Sequence, residues 1–232
     1  MEQENKIITL INPSSPYVEA YKKLQLNIQY SSLDKNIKVI EVTSTDASEG
    51  KTSTAVNLAA AYALKNKKAI IVDLDLRKPK IHKVFERHNE NGVVDVVTQN
   101  IPFEEAVYHH ESGVDVLVRG SSTPKIELFL ESEKLYSFIN ELKEKYDVII
   151  LDCPPTNVVT DATLISKIVD GVIYVVAYNQ VKKDVVKDSI KRLKNVGANI
   201  LGVVMTQVEK NMGKKYSKYS YYAKKYEEGG NK

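Results

Sequence analysis

A single cysteine, Cys153, is all the thiol this chain has. An internal disulfide is excluded, and a reducing compartment suits the protein. Long apolar runs are missing too: none approaches the ~20 residues that span a bilayer. The N-terminus, MEQENKIITL, lacks the basic-then-apolar pattern of a signal peptide. The expectation is a cytoplasmic protein whose membrane association, if any, runs through a partner. An excess of one charge is also absent. A net charge of +3, with no long basic stripe before the tail, argues against a nucleic-acid partner.

What is present is ordinary globular material, 43% hydrophobic and 27% charged. Short β-branched runs recur at residues 38–42, 69–72, 114–118, 148–151, 172–176 and 201–205. Most are apolar on both faces, as in a parallel sheet covered on both sides. Helical stretches separate them: Ala55 to Leu64, then Val186, Ile190, Leu193 and Val196 at helical spacing, with Gly197 as cap. A further helix starts at Ser15-Pro16, with Val18, Tyr21, Leu24 and Ile28 on its apolar face. This alternation predicts an α/β doubly wound, mostly parallel sheet with helices on both faces. The predicted domain runs over 1–209. Residues 210–232, poor in aliphatics and rich in Lys, Ser and Gly, are expected to form a disordered tail.

One strand runs into Ser44-Thr45-Asp46-Ala47-Ser48-Glu49-Gly50-Lys51-Thr52-Ser53 and then a helix. A loop of this kind turns backbone N–H groups toward phosphate, and the helix start adds favourable field. Ser48 to Ser53 are the expected phosphate-binding residues. Lys51 would reach the β- and γ-phosphates of ATP, and the Thr52 hydroxyl would ligate Mg²⁺. The usual first glycine is absent; Thr45 stands there. Two other strands end in carboxylates, at Asp73-Leu74-Asp75-Leu76-Arg77 and at Asp152. Strand C-termini of a parallel sheet share the ligand-binding edge, so Asp73, Asp75 and Asp152 should converge on the loop.

These residues together resemble the bacterial tyrosine kinases of capsule and exopolysaccharide assembly, which carry deviant Walker motifs. The resemblance runs from Ser15 to the tail. Gly50-Lys51-Thr52 matches Walker A, Asp73-x-Asp75-x-Arg77 matches Walker A′, and Ile149-Ile150-Leu151-Asp152 matches Walker B. The tail carries Tyr216, Tyr219, Tyr221, Tyr222 and Tyr226, five of the 14 tyrosines. Such a cluster is the family's hallmark and its autophosphorylation site. The resemblance implies a stand-alone P-loop kinase with a transmembrane adaptor of the polysaccharide co-polymerase type. A cognate tyrosine phosphatase and a homo-oligomer, with a ring as one form, go with it. It also implies a position at the inner face of the membrane. Lys51, Asp73, Asp75 and Arg77 would be catalytic. Thr52, Asp73, Asp75 and Asp152 would serve Mg²⁺. The sequence does not choose the base that accepts the tyrosine proton; Asp73 is the expectation.

Three features depart from the family pattern. Ser48 replaces a loop glycine. The first-helix self-association motif reads Glu19, Lys22, Gln25 where the family has Glu-x-x-Arg-x-x-Arg, and Lys does not reproduce the bidentate geometry of Arg. Thr206-Gln207 stands where an adenine-reading Asn is usual. Two other functions compete. A partitioning-type deviant Walker ATPase would carry a lysine early in the loop, where this chain has Ser44-Thr45-Asp46-Ala47. A non-catalytic scaffold of the export machinery would not require Lys51, Thr52 and three aspartates. Cys153 is expected to be a small core residue, His109-His110 a surface pair, and Tyr62, Tyr136, Tyr146 and Tyr174 packing residues; for Tyr30 and Tyr108 packing is the default and secondary phosphorylation the alternative.

Overall fold

The computed structural model of the chain describes residues 15–31 and 36–208. The predicted tail lies outside them. Helix α1 (Pro16–Tyr30) begins where sequence logic puts it. The Ser15 hydroxyl accepts the Tyr17 N–H at 3.3 Å, and a proline occupies the first turn, where its missing donor is not needed.

Seven strands form one sheet. Its spatial order is β3 (Tyr108–His109), β4 (Val114–Leu117), β2 (Ala69–Asp73), β5 (Val148–Asp152), β1 (Val39–Ser44), β6 (Gly171–Ala177) and β7 (Ile200–Thr206). Every pairing is parallel except β3 with β4. β3 has only two residues, too few to leave a periodic signal, and the sequence reading missed it. Register puts Val42 opposite Asp152 and Asp73 opposite Asp152, so the carboxylates of β2 and β5 end side by side.

Helices cover both faces, as the doubly wound prediction requires. On one face α2 (Lys51–Ala63) buries Ala55, Leu58, Ala59 and Tyr62 against Ile40, Ile71 and Ile150, and α1 packs on α2 through Leu24 and Ile28. The other face holds Val39, Ile70, Val72, Ile149 and Leu151. It is covered by α4 (Val93–Gln99), α6 (Ile126–Leu130) and α7 (Glu133–Lys145), with Leu135, Phe138, Ile139 and Leu142 as the α7 contacts. α9 (Lys183–Asn195) closes the far end, Leu193 meeting Val172 and Tyr174. Short helices α3 (Ile81–Val84), α5 (Phe103–Ala106) and α8 (Asp161–Ile165) lie in the connections.

Cys153 is fully buried, and burial pushes its thiol well above the usual range, as fits a core residue. Tyr62, Tyr146 and Tyr174 pack, and Tyr108 lies under the Arg87 guanidinium at 4.0 Å. Tyr136 and Tyr30 do not pack: they are 49% and 69% exposed. Both sit on helix faces turned from the sheet, which aromatic character alone does not reveal. His109 is exposed, whereas His110 is half-buried and meets Phe85 edge-on.

Glu41 stands in the middle of β1 with no exposed surface, and neither carboxylate oxygen has a hydrogen-bond partner among the described residues. Burial raises its pKa well above the usual carboxylate value. A pKa raised by folding stabilises the folded state below 4.5 and loses that contribution as pH rises toward the folded value. Glu41→Met fills the same volume without polar atoms. It should raise stability at neutral pH by about 1–3 kcal/mol and flatten the fall of stability with pH above 4.5, measured by denaturant titration at several pH values. Equal slopes for both chains would contradict this.

Candidate active site

β1 ends at Ser44 and α2 begins at Lys51. Gly50 is the helix N-cap, with φ 88°, and no side chain caps the first turn. The start of α2 thereby favours an anion. The positive φ favours glycine here, and a Cβ would press on Thr206 Cγ2 at 3.3 Å. Ser48 also has a positive φ, 65°, in the left-handed region that costs an L-residue about 1–2 kcal/mol. The family's glycine at this point therefore answers a real backbone demand. Ser48→Gly should release part of that strain and raise the melting temperature by ~2–4 °C, read by calorimetry. A fall on substitution would mean that the Ser48 side chain holds the loop.

The carboxylates of the two later motifs reach this loop. Lys51 Nζ lies 2.9 Å from Asp75 Oδ2 and 3.4 Å from Asp152 Oδ1. The Thr52 hydroxyl donates to Asp152 Oδ2 at 2.7 Å. All four residues are buried. Burial opposes the lysine charge, but Asp152 and Asp75 outweigh it and raise the Lys51 pKa above its usual value. Asp73 is raised to about 8, first by burial and then by the Asp152 carboxylate facing it across the strands. Burial also raises Asp152, against the pull of Lys51. An anion-ready helix start, a movable cation and paired hydroxyl and carboxylate oxygens are what a nucleotide phosphate with a divalent ion requires. Among the described residues no three His, Cys, Asp or Glu side chains form a metal cage. Mg²⁺ needs none, since it takes one or two carboxylates and completes its shell with water and phosphate. The shared spot between Thr52 Oγ1 and Asp152 Oδ2 fits that ion.

Several expected site residues behave differently. Asp73, the expected base, has no exposed surface. Its Oδ2 accepts the Lys80 and Ile81 N–H groups, both at 3.0 Å, and its Oδ1 accepts the Asp75 N–H at 3.2 Å. Asp75 retains 4% exposure. The Glu49 carboxylate is turned away from the loop mouth. It is fully buried and accepts the Asp46 N–H at 2.6 Å and the Ala177 N–H at 3.0 Å, pinning the loop to β6. Arg77 forks onto Asp161 at 2.9 and 3.1 Å and reaches Glu127 at 2.8 Å, so its guanidinium ties the Walker A′ loop to α8 and α6. Ser53 is half-buried in the first turn of α2 and its carbonyl accepts from Asn57. On α1, Glu19 and Lys22 form an exposed pair at 2.7 Å, but Gln25 is only 4% exposed and faces inward. An uncharged amide can turn inward more readily than the family's arginine. Tyr216, Tyr219, Tyr221, Tyr222 and Tyr226 lie outside the described residues.

Sequence reading missed the groups that hold the loop. The buried Tyr174 hydroxyl meets Thr45 Oγ1 at 2.9 Å and Thr156 Oγ1 at 3.0 Å. Thr156 also binds the Ser44 carbonyl at 3.1 Å. Thr206 donates to the Glu49 carbonyl at 2.6 Å, and the Gln207 amide to the Ser48 carbonyl at 2.8 Å. The Thr206-Gln207 departure thus has a local use, bracing the loop that lost its glycine. Only the pairing of β6 with β7 brings those residues to the loop, so no local signal announces them.

Residues 37–204 match the family model described as an AAA domain. The chain is 32% identical to tyrosine-protein kinase YwqD of Bacillus subtilis (strain 168) over 220 residues, 94% of this chain and 90% of that protein. Among solved structures, the chimerical protein CapA2B2 superposes with a TM-score of 0.85 at 33% identity, covering 88% of this chain and 90% of that one. The kinase domain of Escherichia coli tyrosine kinase ETK superposes at 0.82 with 25% identity, covering 88% and 82%. These likenesses span both the phosphate loop and the carboxylate-bearing strands that meet it. The chain belongs to the bacterial tyrosine-protein kinase family, built on a P-loop domain of the AAA type.

Proposed function

We propose that this chain is an ATP-dependent protein-tyrosine kinase that phosphorylates its own C-terminal tyrosines, one subunit acting on the next. The observation that supports it most directly is the convergence of Lys51, Thr52, Asp75 and Asp152 at the end of three adjacent strands. An ATPase switch could use the same parts, but the tyrosine cluster would then have no role. We read the export of capsular or exopolysaccharide as the process controlled, with a transmembrane adaptor as activator and a phosphatase as eraser. No helix among the described residues is long and apolar enough to cross a membrane, consistent with an adaptor supplying the membrane contact.

Phosphoryl transfer needs positioning and charge neutralisation more than covalent help. The loop amides and Lys51 would hold the β- and γ-phosphates, Lys51 leaving its carboxylate partners to do so. Thr52 and Asp152 would hold Mg²⁺, which supplies Lewis-acid neutralisation of phosphate charge when bound. Once Lys51 engages phosphate, Asp75 Oδ2 loses its partner. We assign the base to Asp75, the Walker A′ carboxylate with residual exposure, and a positioning role to Asp73, whose oxygens fix the backbone at 75, 80 and 81. A tyrosine with a free pKa near ~10 gains from such a base. Arg77, through Asp161, would steady the same loop.

The test is phosphotyrosine mapping by mass spectrometry after incubation with Mg-ATP, with and without a fused activating adaptor segment. Phosphate on Tyr216 to Tyr226 supports the kinase. Hydrolysis of ATP with unmodified tyrosines in every condition supports the switch ATPase instead.

A further inference from the structure

The stretch from Arg77 to Arg87 is strongly basic. Arg77, Lys78, Lys80, Lys83 and Arg87 stand there with one carboxylate, Glu86. Its backbone is clamped to the Walker A′ carboxylates: the Lys78 N–H donates to Asp75 Oδ1, and the Lys80 and Ile81 N–H groups to Asp73 Oδ2, each at 3.0 Å. The run therefore borders the carboxylates that an acceptor hydroxyl must approach. Two of its cations are engaged, Arg77 by Asp161 and Glu127, Arg87 over the Tyr108 ring. Lys78 and Lys83 are exposed and Lys80 is half-exposed, and none of the three forms an ion pair among the described residues. His82 between them is held below its usual range, first by burial and then by the Lys83 and Arg119 charges.

We propose that Lys78, Lys80 and Lys83 select tyrosines that have carboxylates beside them, which puts Tyr226 ahead of lysine-flanked Tyr216 as an acceptor in the tail. The inference rests on the kinase reading above. An extended acceptor advances ~3.3–3.6 Å per residue, so its neighbours one and two places away fall within a lysine side chain's reach of the carboxylate pair. In the tail only Tyr226 has acidic neighbours, Glu227-Glu228, which offset Lys224-Lys225 on its other side. Tyr216 sits among Lys214, Lys215 and Lys218 and meets the same lysines with like charge. Roughly 18 residues separate Val208 from Tyr226, a span of at most ~60 Å, enough for this terminus to meet a neighbouring subunit's site. Phosphate placed on Tyr226 then adds negative charge to the tail and eases the approach of the lysine-flanked tyrosines.

Time-resolved phosphosite mass spectrometry on the full chain tests this, with the Tyr226 to Tyr216 initial-rate ratio as readout. The ratio is internal to each sample, so partial loss of folded protein cancels. The wild-type ratio should be about three- to ten-fold in favour of Tyr226, the scale of a few exposed charge contacts. Glu227→Lys with Glu228→Lys should remove that lead. Lys78→Glu with Lys83→Glu should invert it, so that lysine-flanked Tyr216 overtakes Tyr226, an outcome that mere structural damage does not produce. Should the second pair fail to fold, the first still decides, since its changes lie in the tail. The same order of sites in every chain overturns the selection while leaving the kinase standing. No phosphotyrosine in any chain overturns the kinase reading and the selection with it.

Discussion

Lys51→Met should reduce phosphotyrosine formation and ATP hydrolysis by about 10²–10³-fold, the scale of removing one positioned charge from a phosphate-transfer site. The geometry sets both the size and the side effect. Lys51 bridges two buried carboxylates, Asp75 and Asp152, with Asp73 beside them. Its loss leaves like charges buried together, which should cost about 3 kcal/mol or more of stability. The penalty has a pH direction. Carboxylates whose folded pKa is raised support the folded state at low pH and cease to do so as pH rises, through about 8 for Asp73. The variant should therefore be closest to wild type in acid and fall furthest behind in mild alkali, as melting temperatures across pH would reveal. Transfer above a tenth of the wild-type rate would remove Lys51 from the phosphate-binding role.

Asp75→Asn and Asp73→Asn should separate in kind. At Asp75 the amide oxygen still accepts the Lys78 N–H and keeps the loop at 75–81 in place. Buried Lys51 loses one of its two carboxylate partners, so stability falls. The loop should nonetheless not loosen, while transfer falls by ~10²–10⁴-fold, the range for losing a positioned base. At Asp73 the bonds run to three backbone donors from both oxygens. An amide accepts through one oxygen only, which leaves a buried donor unpaired at about 1–3 kcal/mol. Asp73→Asn should accordingly loosen the loop at 75–81, seen as faster amide exchange there, in addition to slowing transfer. Retained transfer in Asp75→Asn, with loss in Asp73→Asn, would return the base to Asp73.

Much of this was legible in one dimension. Parallel strands buried on both faces spell themselves as apolar runs, and six of the seven were read so. β3 escaped because two residues carry no period. The Gly50-Lys51-Thr52 turn was legible because a phosphate loop makes chain-local demands of φ and of helix-start amides. The convergence of Asp73, Asp75 and Asp152 was legible through topology, since consecutive parallel strands end at one edge.

Side-chain direction was not. The sequence by itself determined the sheet, its winding, the phosphate loop and which carboxylates come near it, because periodicity and strand order act along the chain. Only the tertiary structure decided which oxygens face the mouth. It turned Glu49 back onto Ala177, Gln25 into the α1 interior and Asp73 onto the Lys80 and Ile81 amides. It also brought Tyr174, Thr206 and Gln207 to the loop through contacts more than a hundred residues apart. The reason is physical. A buried polar group must find a partner wherever the packed chain supplies one, and that partner is set by strand register and packing in space, not by neighbours in sequence.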